Sequence, residues 1–286
     1  MKYIVAEFKI ACSPELLQVA CDLVADAAGE AGFESFEETP DGLKGYVQEQ
    51  LFDREMLDRN LAELLLDAAT VSYTLHPTED KDWNEQWEQE GFSPIDIGGR
   101  VLIYDARQPA PAIPAQAVGV SIRARQAFGT GTHQTTRLMI ASLLNSPLQG
   151  KRVLDCGCGT GVLGLVAAKL GAREVVAYDI DEWSVENAKH NAQENHVENL
   201  TVLHGDAQVL SHVSGLFELV MANINRNILL HDMPAFAEML TADGTLIISG
   251  FYEEDAPLLL AEAEKSGFRE QGRQTEDRWC CLRLAK

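Results

Sequence analysis

The sequence predicts an α/β protein: a doubly wound parallel-sheet domain over residues 97–286, preceded by a small α+β unit over residues 1–76. Three observations carry that expectation. From Gly150 onward, short apolar runs alternate with helical patterns, as in a sheet with helices on both faces. A glycine cluster, Asp155-Cys156-Gly157-Cys158-Gly159-Thr160-Gly161, falls between the first of these strands and its helix. The first 76 residues instead run strand, helix, strand, strand, helix, strand, which is the split βαβ, ferredoxin-like order.

Taking the elements in turn, Tyr3 to Ile10 alternates apolar and polar residues like a half-buried strand. Ser13 is placed to cap a helix with Pro14 in its first turn, and Leu16, Leu17, Ala20, Leu23, Val24 and Ala27 recur at helical spacing. Phe33 to Thr39 and Leu43 to Gln48 read as strands about a Pro40-Asp41-Gly42 turn. Asp53 opens a second helix, and Thr70 to Leu75 is the last strand of the unit. Residues 77–96 are expected to form a linker helix, with Trp83 and Trp87 on one face. Ile95 to Ile103 holds one or two strands, and Pro109 to Pro114 is a connector. In the larger domain, Arg152 to Leu154, Glu174 to Asp179, Leu200 to Leu203, Phe217 to Ala222 and Thr245 to Ser249 read as strands. Val162 to Leu170, Glu182 to Glu194 and Ala256 to Ser266 read as helices, and Trp279 to Leu284 closes the chain as a strand.

Bulk properties narrow the function. An apolar fraction of 46% suits a globular protein. No apolar run reaches the length of about eighteen residues that a membrane helix needs. Glu7 and Lys9 come too early for a secretory segment, so a soluble cytoplasmic protein is expected. Cys12, Cys21, Cys156, Cys158, Cys280 and Cys281 have the spacing of neither a disulfide framework nor a zinc site, so no metal is expected. With 44 acidic against 23 basic residues, the net charge is −21. Such a chain is repelled by polyanionic nucleic acid and attracts a basic protein, although acidity also serves solubility alone.

The glycine cluster brings backbone close to a ligand at the positive end of a helix dipole. A dinucleotide fingerprint starting at Gly157 would need its third glycine at Val162, and no Gly-Lys-Ser or Gly-Lys-Thr of a P-loop follows. What remains, Asp155-x-Gly157-x-Gly159-x-Gly161, resembles motif I of class I (Rossmann-like) methyltransferases, which bind S-adenosylmethionine. Asp179 ends the next strand, 22 residues after Gly157, and its carboxylate is suited to accept from two ribose hydroxyls. Asp181 competes for that role, and Asp206 in Gly205-Asp206-Ala207 is either an adenine contact or a turn cap. Ala222-Asn223-Ile224-Asn225 follows the fourth strand. Methyltransferases acting on nitrogen place Asn-Pro-Pro-Tyr there. Asn223 is retained without the prolines or the tyrosine, which keeps a nitrogen acceptor and disfavours a stacked adenine.

Together with Phe128-Gly129-Thr130-Gly131-Thr132-His133-Gln134-Thr135-Thr136-Arg137 and Asp82-Trp83-Asn84, these motifs resemble the bacterial ribosomal protein L11 methyltransferases, over nearly the whole chain. The resemblance implies an S-adenosylmethionine site at Thr136, Gly157, Gly159, Asp179 and Asn223, with Asn223 also orienting the acceptor amine. It implies transfer to lysine side chains and the N-terminal amine of that protein before ribosome assembly, by a monomer that touches no nucleic acid or membrane. The N-terminal unit would grip the substrate and swing on the linker. Arg123 to Gln126 replaces the family's Asp-Pro-Gly, and Gln134 replaces a proline. His133 is either a base or a structural loop residue. A glutamine amide or an RNA base as acceptor, and a non-catalytic cofactor-binding assembly protein, are the alternatives.

Overall fold

The computed structural model describes residues 3–13, 16–33, 35–48, 51–64, 70–77, 91–124 and 129–286. The chain divides into two compact units, Met1–Trp83 and Asn84–Lys286. The first contains β1 (Tyr3–Ala11), α1 (Leu17–Glu30), β2 (Ser35–Thr39), β3 (Gly42–Gln48), α2 (Arg54–Glu63) and β4 (Thr70–Pro77). Its sheet has the order β2-β3-β1-β4, with every pair antiparallel. Alternation along β1 sends Ala6, Phe8 and Ile10 into a core with Val24 and Ala28 of α1 and Leu57 of α2. Asp53 caps α2 as expected, accepting from the Met56 N–H at 2.9 Å. The expected Ser13 cap is not found among the described residues: α1 starts at Leu17 behind a Leu16 with no side-chain cap, and the Ser13 carbonyl accepts the Leu16 N–H. Pro14 and most of the expected linker helix, including Trp83 and Trp87, lie outside the described residues.

The second unit begins with a three-stranded sheet of β5 (Ile95–Ile97), β6 (Val101–Asp105) and β7 (Val118–Ile122), followed by α3 (Gln134–Leu144). Then come β8 (Arg152–Cys156), α4 (Val162–Lys169), β9 (Glu174–Asp179), α5 (Glu182–Glu194), β10 (Leu200–His204) and β11 (Phe217–Asn223). The chain ends with α6 (Arg226–Met239), β12 (Leu240–Tyr252), α7 (Ala256–Lys265), β13 (Arg269–Glu276) and β14 (Trp279–Ala285). The large sheet has the order β10-β9-β8-β11-β12-β14-β13. Its first five strands are parallel, and β8 is buried along its whole length, as a strand covered on both faces must be. Neighbouring Val153 and Leu154 enter opposite cores: one with Met139 of α3 and Val166 of α4, the other with Phe236 of α6 and Leu259 of α7.

One expectation changes here. The sheet is mixed, because β14 runs antiparallel to both β12 and β13. Asp277 and Arg278 take positive φ angles of 47° and 69° between the paired Glu276 and Trp279. That is the two-residue turn whose twist matches an antiparallel hairpin, so the chain folds straight back without a crossover helix.

Chain order runs outward from β8 through β9 to β10, then resumes on its other side at β11. The reversal leaves a crevice at the carboxyl ends of β8 and β11, where an open α/β sheet binds its ligand. Two buried amides, Asn191 of α5 and its C-cap Asn195, also fasten β7. Asn195 donates to the Ser121 carbonyl at 2.6 Å and accepts the Ser121 N–H at 2.9 Å, and Asn191 accepts the Arg123 N–H at 3.0 Å. Asn195→Ala leaves both polar groups of Ser121 without these partners and is expected to lower unfolding free energy by about 2 kcal/mol. Urea denaturation measures this, and a loss within about 0.5 kcal/mol would count against the amide pairing as a support.

Candidate active site

The crevice is built from the loop after β8. Gly157, Gly159 and Gly161 have φ angles of 68°, 53° and 78°, in the left-handed region where a side chain is strained. The Gly157 and Cys158 N–H groups both donate to the Tyr178 carbonyl, at 2.9 and 3.0 Å, so the loop is pinned to the adjacent strand end. One residue on, Asp179 Oδ2 accepts the Gly159 N–H at 2.8 Å and Oδ1 accepts the Asp181 N–H at 3.0 Å. A Cβ at Gly157 would overlap Ile224 of the β11–α6 turn, and one at Gly161 would lie 3.0 Å from the Ala188 Cβ. The glycines therefore admit close approach of backbone to two neighbouring elements.

A cavity of about 620 Å³ opens over this loop, and Thr136, Gly157, Gly159, Asp179 and Asn223 all line it. The residues expected at the site thus converge on one space. Thr136 is 1% exposed, and its Oγ1 is buried with no hydrogen-bond partner among the described residues. An orphaned hydroxyl costs free energy unless a ligand completes it. Asn223 ends β11 and makes no side-chain hydrogen bond among the described residues. The turn chemistry at that strand end falls to Asn225, whose Oδ1 accepts the Ile228 N–H at 3.1 Å and caps α6. Asp181 likewise caps α5, accepting from Ser184 at 3.1 Å, and does not line the cavity. Asp206 does both, capping a short 3₁₀ turn through the Gln208 N–H while facing the cavity. Among the described residues the lining includes Asp179, Asp206 and Asp232 and no lysine or arginine. Ile180 and Ile228 supply exposed apolar surface on the wall.

Asp155 and His133 both serve the scaffold, which for His133 is the structural one of the two roles considered. Asp155 does not line the cavity: it is fully buried, with Oδ2 accepting the Gly164 N–H of α4 at 2.9 Å and Oδ1 without a partner among the described residues. It steadies the helix behind the loop. His133 is the N-cap of α3, its Nδ1 accepting the Thr135 N–H, with the ring edge-on to Trp279 at 4.8 Å. With Nδ1 so used, the neutral ring carries its proton on Nε2, a poor arrangement for a base. Burial and then the Arg137 charge hold its pKa below the ordinary histidine value.

Sequence reasoning passed over Thr160 and Asn191. Thr160, fully buried, donates to the Gly129 carbonyl at 2.6 Å, and its own carbonyl accepts from Asn191 Nδ2 at 2.9 Å. The available signal was Asn187, Asn191 and Asn195 at four-residue intervals, a polar stripe along the buried side of α5.

An acidic crevice with a glycine floor and a strand-end carboxylate suits a positively charged sulfonium donor. This is the fold and the site of an S-adenosylmethionine-dependent methyltransferase. Comparison with known proteins narrows the class. The family model for ribosomal protein L11 methyltransferase (PrmA) matches residues 24–286, and the chain belongs to that family. The ribosomal protein L11 methyltransferase of Bacteroides fragilis is 43% identical over 263 residues, 92% of this chain and 93% of that one. The protein of the same name from Porphyromonas gingivalis is 40% identical over 287 residues, covering 99% and 98%. A crystal structure of ribosomal protein L11 methylase from Lactobacillus delbrueckii subsp. bulgaricus aligns with a TM-score of 0.63 at 27% identity, over 68% of this chain and 99% of that one.

Two outcomes are expected. Gly157→Ala, strained at its φ and overlapping Ile224, should weaken S-adenosylmethionine binding at least about tenfold by calorimetry, given roughly 1–2 kcal/mol of backbone strain alone. Unaltered affinity would contradict the close approach. Burial pushes the Asp155 carboxyl up to about 7, with the Gly164 N–H opposing and the Asp179 charge assisting. Between about pH 4 and pH 7 the unfolded chain then holds fewer protons at this site than the folded one, so this group lowers stability as pH rises. Asp155→Asn should flatten that decline and melt above the parent at pH 8. Parallel pH–stability curves would refute the assignment.

Proposed function

We propose that this enzyme transfers methyl groups from S-adenosylmethionine to amino groups of ribosomal protein L11, on lysine side chains and at the N-terminus. The observation that carries the reading is the Asn223 side chain, at the cavity wall without a hydrogen-bond partner among the described residues, while its neighbour Asn225 performs the structural capping. The names of the relatives support the substrate, and the net charge of −21 supports a basic protein over RNA.

The bound cofactor supplies an electrophilic methyl group on a cationic sulfur. In this reading Gly157 and Gly159 present backbone to its amino-acid arm. Asp179 retains lone pairs to accept from the ribose hydroxyls beside the two N–H groups it already holds. Thr136 gives its orphaned hydroxyl to the same ligand. A lysine amine, with an ordinary pKa near 10.4, must lose a proton to solvent before it attacks. Desolvation in the crevice and the sulfonium charge both favour the neutral amine. The Asn223 amide oxygen then accepts an N–H of the amine and turns its lone pair toward the methyl carbon. That orientation would suit in-line transfer of the methyl group from sulfur to nitrogen, leaving a neutral thioether. Rate enhancement rests on that positioning, with no side-chain base required.

The N-terminal unit, whose strand order β2-β3-β1-β4 supports a ferredoxin-like assignment, serves in this reading to recognise the substrate protein. Action on the free ribosomal protein before assembly, as a cytoplasmic monomer, completes the proposal.

Incubation with labelled S-adenosylmethionine, purified ribosomal proteins, ribosomal RNA and a release factor should place label on L11 amines, located by mass spectrometry. Label on a glutamine amide or an RNA base would replace the acceptor, and binding without transfer to anything would remove the enzymatic reading. Asn223→Ala should lower kcat about 100-fold, as loss of a positioned transition-state contact does, with cofactor affinity changed no more than about threefold. Unchanged turnover would sink the role given to Asn223.

A further inference from the structure

Thr160 lies in the glycine loop without lining the cavity, fully buried and bonded at both ends. Its hydroxyl donates to the Gly129 carbonyl at 2.6 Å, and its carbonyl takes an Nδ2 proton of Asn191 at 2.9 Å. The same Asn191 amide grips Arg123 on both backbone atoms, accepting its N–H at 3.0 Å and reaching its carbonyl at 3.3 Å. Thus one buried side chain on α5 holds the cofactor loop and the exit of β7 together. Thr160 carries the connection on to Gly129, which begins the stretch leading to the orphaned Thr136 hydroxyl. Gly129 lines the cavity at a φ of 111°, and a Cβ on it would lie 2.9 Å from Thr160 Oγ1. The contact therefore needs both the hydroxyl and the bare glycine.

We infer that Thr160, held by Asn191, is a positioning residue that docks the 129–136 segment onto the glycine loop and so assembles the Thr136 side of the cofactor site. The floor of the cavity comes from the loop after β8, and part of its opposing wall comes from this segment. Among the described residues no ladder hydrogen bond of the sheet joins the two. A cofactor needs both in place at once, and its apparent affinity scales with the fraction of molecules in which they are. Breaking the Thr160 bond leaves a Gly129 carbonyl without that partner when docked, which shifts the local equilibrium without touching the ligand.

The test uses the full chain with S-adenosylmethionine as titrant, so it does not depend on which acceptor the enzyme serves. Thr160→Val keeps the shape and removes the donor. Its dissociation constant should rise about tenfold. Thr160→Ser keeps the donor and should stay within about twofold of the parent, while Thr160→Cys, a weak donor, should fall between. The Cys variant still reads the effect if the Val variant does not fold. Melting temperature without cofactor is recorded for each. A Val or Cys variant that melts lower but binds as tightly as the parent would show a purely structural role and overturn the inference. So would a Ser variant that binds as poorly as Val.

Discussion

The carboxylate of Asp179 and the carbonyl of Tyr178 hold the glycine loop to the end of the neighbouring strand, and the cofactor site depends on that bracing. Three glycines in left-handed conformations would be an entropic liability in an unconstrained loop. Here the Gly157, Cys158 and Gly159 N–H groups are each spent on the end of β9, at 2.8 to 3.0 Å. β8 and β9 are parallel neighbours, and β8 is buried along its whole length, so the loop is carried by a core strand. A crevice shaped in this way is ready before a ligand arrives, which lowers the ordering cost of binding.

Charge follows the same logic. Asp155, behind the loop, is pushed by burial toward the neutral form, while Asp179 at the front accepts two backbone N–H groups. Two carboxylates so close divide their roles, one supporting α4 and one facing the ligand. Asp206 and Asp232 also line the cavity, and among the described residues no lysine or arginine lines it. A donor carrying a sulfonium and an ammonium group is complementary to such a site, and a basic substrate protein is complementary to the chain as a whole.

Much of this was legible in the sequence. The glycine loop, Asp179 and Asn223 are local signals at strand ends, where the sheet topology itself puts ligands. The parallel strands were readable because buried strands are apolar throughout. What escaped depends on distance in sequence. β13, Arg269–Glu276, is an exposed edge strand with no apolar residue, so its only signal is the partner it pairs with. β7 and the amides that hold it are separated by some seventy residues, and Asn191 and Asn195 look like surface polar residues until the strand is beside them. α6 carries Pro234 inside and polar residues in its first turn, which obscures its helical period. Thr160 sits in plain view inside the motif, but its partner Gly129 is 31 residues earlier, and nothing local announces the bond.

A crystal structure with S-adenosylhomocysteine bound tests the central claim most directly. The account predicts the ligand in the cavity between the ends of β8 and β11, its ribose hydroxyls on the Asp179 carboxylate. Thr136 Oγ1 should then be within hydrogen-bond distance of the ligand or of a water it orders. A ribose held by Asp181 in place of Asp179, or a ligand that leaves Thr136 still unpartnered, would contradict it.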